Sequence, residues 1–204
     1  MDGVSFEVKA SSVVAVLGAN GAGKSTLLNC VAGVLRPDSG NIELGGAKVG
    51  YMGHKSFLYD DLSAKANLKF WSAMAGVDNG ADKAEQLFEA ADLGRHSDKK
   101  VRAMSAGMVK KVSLCRAVIN EPEVLVLDEP FSAMDEAGRD FAISVINGVR
   151  EKGGIVLLTS HDLESAVRLA SDVLVLDKAR VYKFERADKI DIGELHKVAG
   201  GVRC

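Results

Sequence analysis

The segment Gly18-Ala19-Asn20-Gly21-Ala22-Gly23-Lys24-Ser25 limits what this chain can fold into more than any other stretch. It fills every fixed position of G-x-x-x-x-G-K-[ST], and its surroundings suit the motif. The aliphatic run Val13–Leu17 precedes it as a strand. A helix follows from Ser25 through Thr26-Leu27-Leu28-Asn29-Cys30-Val31-Ala32. Glycines let the backbone close around phosphate oxygens with its N–H groups turned inward. The helix start adds a field that favours negative charge. Lys24 can reach β- and γ-phosphates, and the Ser25 hydroxyl can ligate Mg²⁺. A chance glycine-rich turn has no need of the strand before it and the helix after it. These residues therefore point to a bound nucleotide.

Around this loop, short aliphatic runs alternate with helical stretches, the pattern of an α/β fold with a mainly parallel sheet. Val13–Leu17, Val124–Leu127 and Ile155–Thr159 are almost wholly aliphatic, which suits central strands covered on both faces. From about Asp60 to Arg116 helix formers dominate and no strong strand run occurs. This reads as a helical lobe inserted into a single domain that spans the chain. Asp172–Leu176 and Arg180–Phe184 flank Asp177-Lys178-Ala179 as two strands joined by a tight turn, a small antiparallel portion. From Arg186 onward the chain suggests a terminal helix with a frayed tail.

Val124–Leu127 ends in Asp128 and Glu129. In open α/β sheets, ligands sit beyond the carboxyl ends of the strands, where the glycine-rich loop also lies. Adjacent strand residues point to opposite sides, so the two carboxylates should do different work. Asp128 suits a Mg²⁺ ligand, and Glu129 suits activation of a water near the γ-phosphate. A strand reaching solvent with two polar residues is the bland alternative. His161 follows the run Ile155–Ser160, and from the residues alone it reads equally well as structural or as a γ-phosphate sensor. Ser105-Ala106-Gly107 opens a helix whose apolar face includes Val109, Val112, Cys115 and Val118. Ser105 is a good N-cap, and Gly107 leaves backbone open at the positive end of the helix. One γ-phosphate has little use for two such helix starts in one domain. Two facing copies would use both.

With these motifs in this order, the chain resembles the ABC ATPase family over essentially its whole length. Gly18–Ser25 matches its Walker A motif and Ser105-Ala106-Gly107 its signature loop. Val124–Asp128 matches Walker B with Glu129 following, and Ser132-Ala133-Met134-Asp135 and His161 match the D-loop and switch histidine. Pro37-Asp38-Ser39-Gly40 and Ala170–Leu176 also look like family segments. The resemblance implies a P-loop NTPase (RecA-like) core and Mg²⁺-dependent ATP hydrolysis, with Glu129 and His161 catalytic and Ser25 and Asp128 at the metal. It further implies nucleotide contacts from Gly18 through Thr26, with Ser105, Ala106, Gly107 and Asp135 reaching a partner's nucleotide in a head-to-tail dimer. Three departures stand out: Met108 where the signature carries glutamine, His54 where the Q-loop glutamine is expected, and a start at Met1-Asp2-Gly3-Val4-Ser5-Phe6 that falls inside the family's first hairpin, so that the adenine-stacking aromatic would lie before Met1.

Gly53-His54…Leu58…Leu62-Ser63…Asn67-Leu68-Lys69-Phe70-Trp71 resembles one branch, the CcmA-like ATPases of cytochrome c maturation and haem export. In that reading, integral membrane subunits dock near Phe57, Leu58 and Tyr59, although the same residues would also serve as ordinary packing of the helical lobe. The chain is then cytoplasmic and peripheral on the inner face of the membrane. Net charge −2 argues against a nucleic-acid surface. No apolar run approaches a membrane span. Cys30, Cys115 and Cys204 follow no metal spacing and read as reduced thiols, the first two as small buried hydrophobes. DNA-repair and translation ATPases carry long coiled coils or two cassettes, and no Asn-Lys-x-Asp guanine reader occurs. A regulator that binds nucleotide without hydrolysing it is kept open by Met108 and His54.

Overall fold

The computed structural model describes residues 1–199, so Cys204 lies outside them. Six strands form one sheet: β1 (Val13–Gly18), β2 (Val49–Met52), β3 (Val124–Leu127), β4 (Ile155–Thr159), β5 (Asp172–Asp177) and β6 (Arg180–Arg186). Their spatial order is β2-β3-β4-β1-β5-β6, and all pair in parallel except β5 with β6. The tight turn between β5 and β6 puts both Lys178 and Ala179 at positive φ, 48° and 64°. That backbone matches the twist of a two-residue hairpin without the usual glycine.

Alternation along the strands splits the core into two layers. Val13, Ala15 and Leu17 face one apolar cluster with Leu125, Leu127, Val156, Leu158, Val173 and Val175. Val14 and Val16 face a second cluster with Val126, Leu157, Leu174 and Leu176. Each strand is therefore aliphatic throughout because each face is covered. α1 (Lys24–Val31) covers the second layer through Leu27, Leu28 and Val31. α5 (Glu136–Glu151) and α6 (Leu163–Leu169) contribute to the first, as does Leu195 of α7 (Ile192–Ala199).

Between β2 and β3 lie α2 (Ala64–Met74), α3 (Gly80–Ala90) and α4 (Ala106–Val118). Leu68, Phe88 and Leu93 of this segment belong to the same apolar cluster as the sheet residues Leu125 and Leu127. Helix α4 lies between the other helices and the sheet, so burial runs around it rather than along one stripe. Val112 and Cys115 are buried as the periodicity suggests, but Val109 and Val118 are only half-buried, while Leu114, Ala117, Ser113 and Lys111 are buried. Cys30 is half-buried, less enclosed than its apolar neighbours imply. Burial pushes the Cys115 thiol up to about 12.

Strand β2 was not expected from the sequence. It is four residues long and contains Gly50, where a Cβ would stand 2.1 Å from the Ala117 carbonyl oxygen. A glycine placed for close packing against α4 hides the strand from propensity.

Asn67 is fully buried on α2 and ties down the loop before it. Its Oδ1 accepts from Tyr59 N at 2.7 Å, and its Nδ2 donates to the carbonyls of Tyr59 and Ser63, each at 3.0 Å. Asn67→Ala should destabilise the fold by about 2–3 kcal/mol, because buried backbone groups lose their partners. A urea midpoint shift at constant slope measures this, and a loss under about 0.5 kcal/mol would contradict it.

Candidate functional site

Five parallel strands end on the same side of the sheet, and the chain that follows four of them supplies polar groups there. Asn20, Gly21, Gly23, Lys24, Ser25 and Thr26 follow β1, His54 follows β2, Asp128 and Glu129 follow β3, and His161 follows β4. Together they line a cavity of about 320 Å³. The glycine-rich loop owes its shape to close backbone packing. At Gly18, with φ of 146°, a Cβ would stand 2.2 Å from the Leu176 carbonyl oxygen. Gly23 caps α1 in a left-handed conformation with no side-chain hydrogen bond, so the first-turn N–H groups stay available to a ligand. Ala22 is buried, and its carbonyl accepts from Ala179 N at 3.1 Å, which ties the loop to the β5–β6 turn.

Lys24 Nζ donates to the carbonyls of Gly18 and Ala19 at 2.7 and 3.1 Å. Burial pulls its pKa below the usual lysine value, while the Glu129 and Asp128 carboxylates act in the opposite direction. Gly18 and Ala19 thus touch the site through Lys24 rather than by lining the cavity.

Asp128 is buried, and the Thr159 hydroxyl donates to its Oδ1 at 2.6 Å. The same Thr159 oxygen accepts from Glu129 N at 2.9 Å. Strand alternation predicts that the two carboxylates diverge. The structure instead brings both into one cavity, because β3 ends at Leu127 and Glu129 turns into left-handed backbone with φ of 53°. Glu129 Oε2 accepts from His161 N at 3.2 Å, and its Oε1 lies 3.5 Å from His161 Nε2. His161 itself is exposed, lining the cavity beside Glu129.

The signature residues lie elsewhere. Ser105 caps α4 by accepting from Met108 N at 3.3 Å; Ser105 and Ala106 are exposed, and none of Ser105, Ala106 and Gly107 lines the cavity. Asp135 is exposed and caps α5, accepting from Gly138 N at 2.9 Å. Met108 packs its side chain against the main apolar cluster. Two residues that sequence reasoning passed over belong to the site's framework, Thr159 and Lys110. Lys110 Nζ donates to the Glu129 carbonyl at 2.9 Å. A polar residue closing an otherwise aliphatic strand was the available signal for Thr159; no local signal marks Lys110.

For a magnesium ion, the donors fit by chemistry. Ser25 and Asp128 offer a hydroxyl and a carboxylate on one cavity wall, the oxygen set Mg²⁺ takes when phosphates and water complete its shell. A larger cleft of about 430 Å³ lies beyond the amino ends of β3 and β4, lined by Leu87, Val118, Ile119 and Val149 among others. Its charged rim is self-paired, with Lys83 and Lys152 on Glu121 at 2.8 and 3.7 Å, so the chemistry belongs to the smaller cavity.

Beside the site, Phe57 and Tyr59 are exposed, whereas Leu58 packs against the core. Arg116 lies between aromatic faces, its guanidinium 5.6 Å from the Phe57 ring centre and 5.3 Å from that of Trp71. Burial pushes the Arg116 pKa down to about 10.

The family model described as ABC transporter matches residues 1–132. The daunorubicin resistance ATP-binding protein DrrA3 of Streptomyces coeruleorubidus is 34% identical over 93% of this chain and 64% of its own length. The linearmycin resistance ATP-binding protein LnrL of Bacillus subtilis is 31% identical over 88% of this chain and 62% of its own length. The chain thus spans a little under two thirds of both relatives. An uncharacterized ABC transporter ATP-binding protein of Methanocaldococcus jannaschii is 32% identical over 93% of this chain and 73% of its own length. A solved structure described as the ATP-binding subunit of an ABC transporter superposes with a TM-score of 0.87 at 26% identity, covering 95% of this chain and 90% of that one. A cassette dimer in a post-hydrolysis state bound to ADP and Pi shares the fold, with a TM-score of 0.80 at 22% identity over 90% of this chain and 89% of that one.

Proposed function

The chain belongs to the ABC transporter family, and from that premise we propose that it is the ATP-binding and ATP-hydrolysing subunit of an exporter, acting as a dimer on separate membrane subunits. The observation that carries this reading is the gathering of Lys24, Ser25, Asp128, Glu129 and His161 around one cavity while Ser105 stays exposed outside it. Half of a shared site is built in each copy. Lys24 and the first-turn amides of α1 bind the phosphates, and Ser25 with Asp128 would hold Mg²⁺, which would supply charge neutralisation there. Glu129 orients and activates the attacking water, and His161 supports the γ-phosphate. Ser105, Ala106, Gly107 and Asp135 of a second copy would close the cavity. ATP binding then favours the closed dimer and hydrolysis reopens it, a switch driven by differential affinity.

No helix among the described residues is long and apolar enough to cross a membrane. In this proposal, which the family supports, the chain works on the cytoplasmic face and meets the membrane through partner subunits. Exposed Phe57, Tyr59, Leu62 and Phe70 offer an apolar surface for a helix of such a partner, next to the cavity. Leu58 is partly buried against the core and is no part of that surface.

The relatives named for drug resistance, and the Nod factor export ATP-binding protein I of Burkholderia orbicola, 34% identical over 88% of this chain and 64% of its own length, support export in general. A role in cytochrome c maturation or haem export rests on the resemblance of Gly53-His54…Leu58…Leu62-Ser63…Asn67-Leu68-Lys69-Phe70-Trp71 alone. Cytochrome c assembly genes beside this one would favour that narrower reading.

Titration of the purified chain with Mg-ATP, alone and with its membrane subunits, tests the proposal. Saturable, magnesium-dependent uptake is the expected result. No uptake in either state would sink it.

A further inference from the structure

We propose that Lys110 is a positioning residue for Glu129, through which helix α4 and the turn carrying the catalytic carboxylate move as one body. The proposal rests on the ATPase reading above and concerns how that site is held.

Three contacts from one helix land on the segment Glu129–Asp135. At Gly107 a Cβ would stand 2.7 Å from the Ala133 carbonyl oxygen, so the first turn of α4 sits directly on that backbone. Lys110 Nζ donates to the Glu129 carbonyl at 2.9 Å. Lys111, itself buried, places its Nζ 3.9 Å from Asp135 Oδ1 and donates to the Ala91 carbonyl at 3.1 Å.

The segment they hold is backbone that needs holding. Glu129 and Ala133 both have positive φ, 53° and 60°. Residues with a Cβ stay in that region only where their surroundings over-determine it. The Glu129 amide is fixed by Thr159 Oγ1 at 2.9 Å, from β4. Its carbonyl accepts from Ser132 Oγ at 3.0 Å and Ser132 N at 3.3 Å within the same turn, and from Lys110 across to α4. Lys110 is thus the donor that ties this peptide to the helix opening at Ser105.

A lysine on a solvated helix face would have no reason to be there. Lys110 is half-buried, and burial lowers its pKa while the nearby Asp128 and Glu129 carboxylates act the other way. The ammonium gives up water to sit against the carbonyl, and the two carboxylates offset that cost. With the Glu129 peptide fixed at both ends, its carboxylate meets His161 N at 3.2 Å and faces the cavity. Any displacement of α4 as a second copy engages Ser105 therefore reaches the Glu129 peptide through Lys110, alongside the packing of Gly107 on Ala133.

The test measures steady-state hydrolysis and nucleotide binding for wild type, Lys110→Met and Lys110→Arg, with membrane subunits present if turnover needs them. Lys110→Met should lower kcat by at least about tenfold while KM and nucleotide Kd stay within about threefold, the mark of an interaction that matters in the transition state. Lys110→Arg should recover most of that loss. Wild-type kcat in Lys110→Met, or a loss that Lys110→Arg does not relieve, overturns the proposal. If Lys110→Met shows no thermal unfolding transition, Lys110→Gln replaces it with the same two outcomes. A wild-type chain that takes up no Mg-ATP overturns the ATPase reading itself, which separates the two failures.

Discussion

Replacing Glu129 with Gln should cut ATP hydrolysis by about 10²- to 10⁴-fold, the range a positioned general base supplies, while nucleotide affinity stays within about threefold. The geometry explains why the two effects separate. Gln keeps the size of the side chain and an oxygen that can accept from His161 N, which now donates to Glu129 Oε2 at 3.2 Å. The Glu129 backbone contacts with Thr159, Ser132 and Lys110 do not depend on the carboxylate. What disappears is the negative charge and proton acceptor facing the cavity. The phosphate-binding groups on the β1–α1 loop are untouched. With ATP bound and not turned over, the closed dimer should accumulate, visible as an ATP-dependent doubling of mass in light scattering. Hydrolysis by Glu129→Gln at the wild-type rate would remove Glu129 from the proposed mechanism.

How far the sequence reaches depends on whether a feature is set locally. Val13–Gly18, Val124–Leu127 and Ile155–Thr159 are strands where aliphatic runs predict them, because strands covered on both faces need no polar alternation. The glycine-rich loop is equally legible, since its residue types follow from its own backbone path. Strand β2 was hidden because Gly50 answers to the Ala117 carbonyl on α4, 67 positions away in sequence (117 − 50). The convergence of Asp128 and Glu129 was hidden for a related reason. Alternation holds only inside a strand, and Glu129 lies past its end, in left-handed backbone stabilised by Thr159 and Lys110 from two other elements. The burial around α4 likewise reflects neighbours on several sides rather than a helical stripe. The exposed Ser105 shows the converse: its capping role was readable from the residue, and its distance from the cavity was a matter of fold.

Lys24→Ala should weaken Mg-ATP binding by about 10- to 150-fold, the worth of a charged hydrogen bond lost from a half-buried site. Two losses combine. Lys24 Nζ bridges the Gly18 and Ala19 carbonyls, so it helps hold the loop in shape. In the proposed site it is also the cation that would meet the β- and γ-oxygens. The ammonium is already partly desolvated, which is why its pKa lies below the usual lysine value. Phosphate binds the protonated form, so affinity should be full below that lowered pKa and fall as pH rises through it. The fall should begin at a lower pH than an unburied lysine would give. Lys24→Ala should flatten that dependence. Calorimetric titration of both proteins across alkaline pH reads the affinity and its slope together. Unchanged affinity in Lys24→Ala would mean that the phosphate lies elsewhere, and the shared-site reading would fall with it.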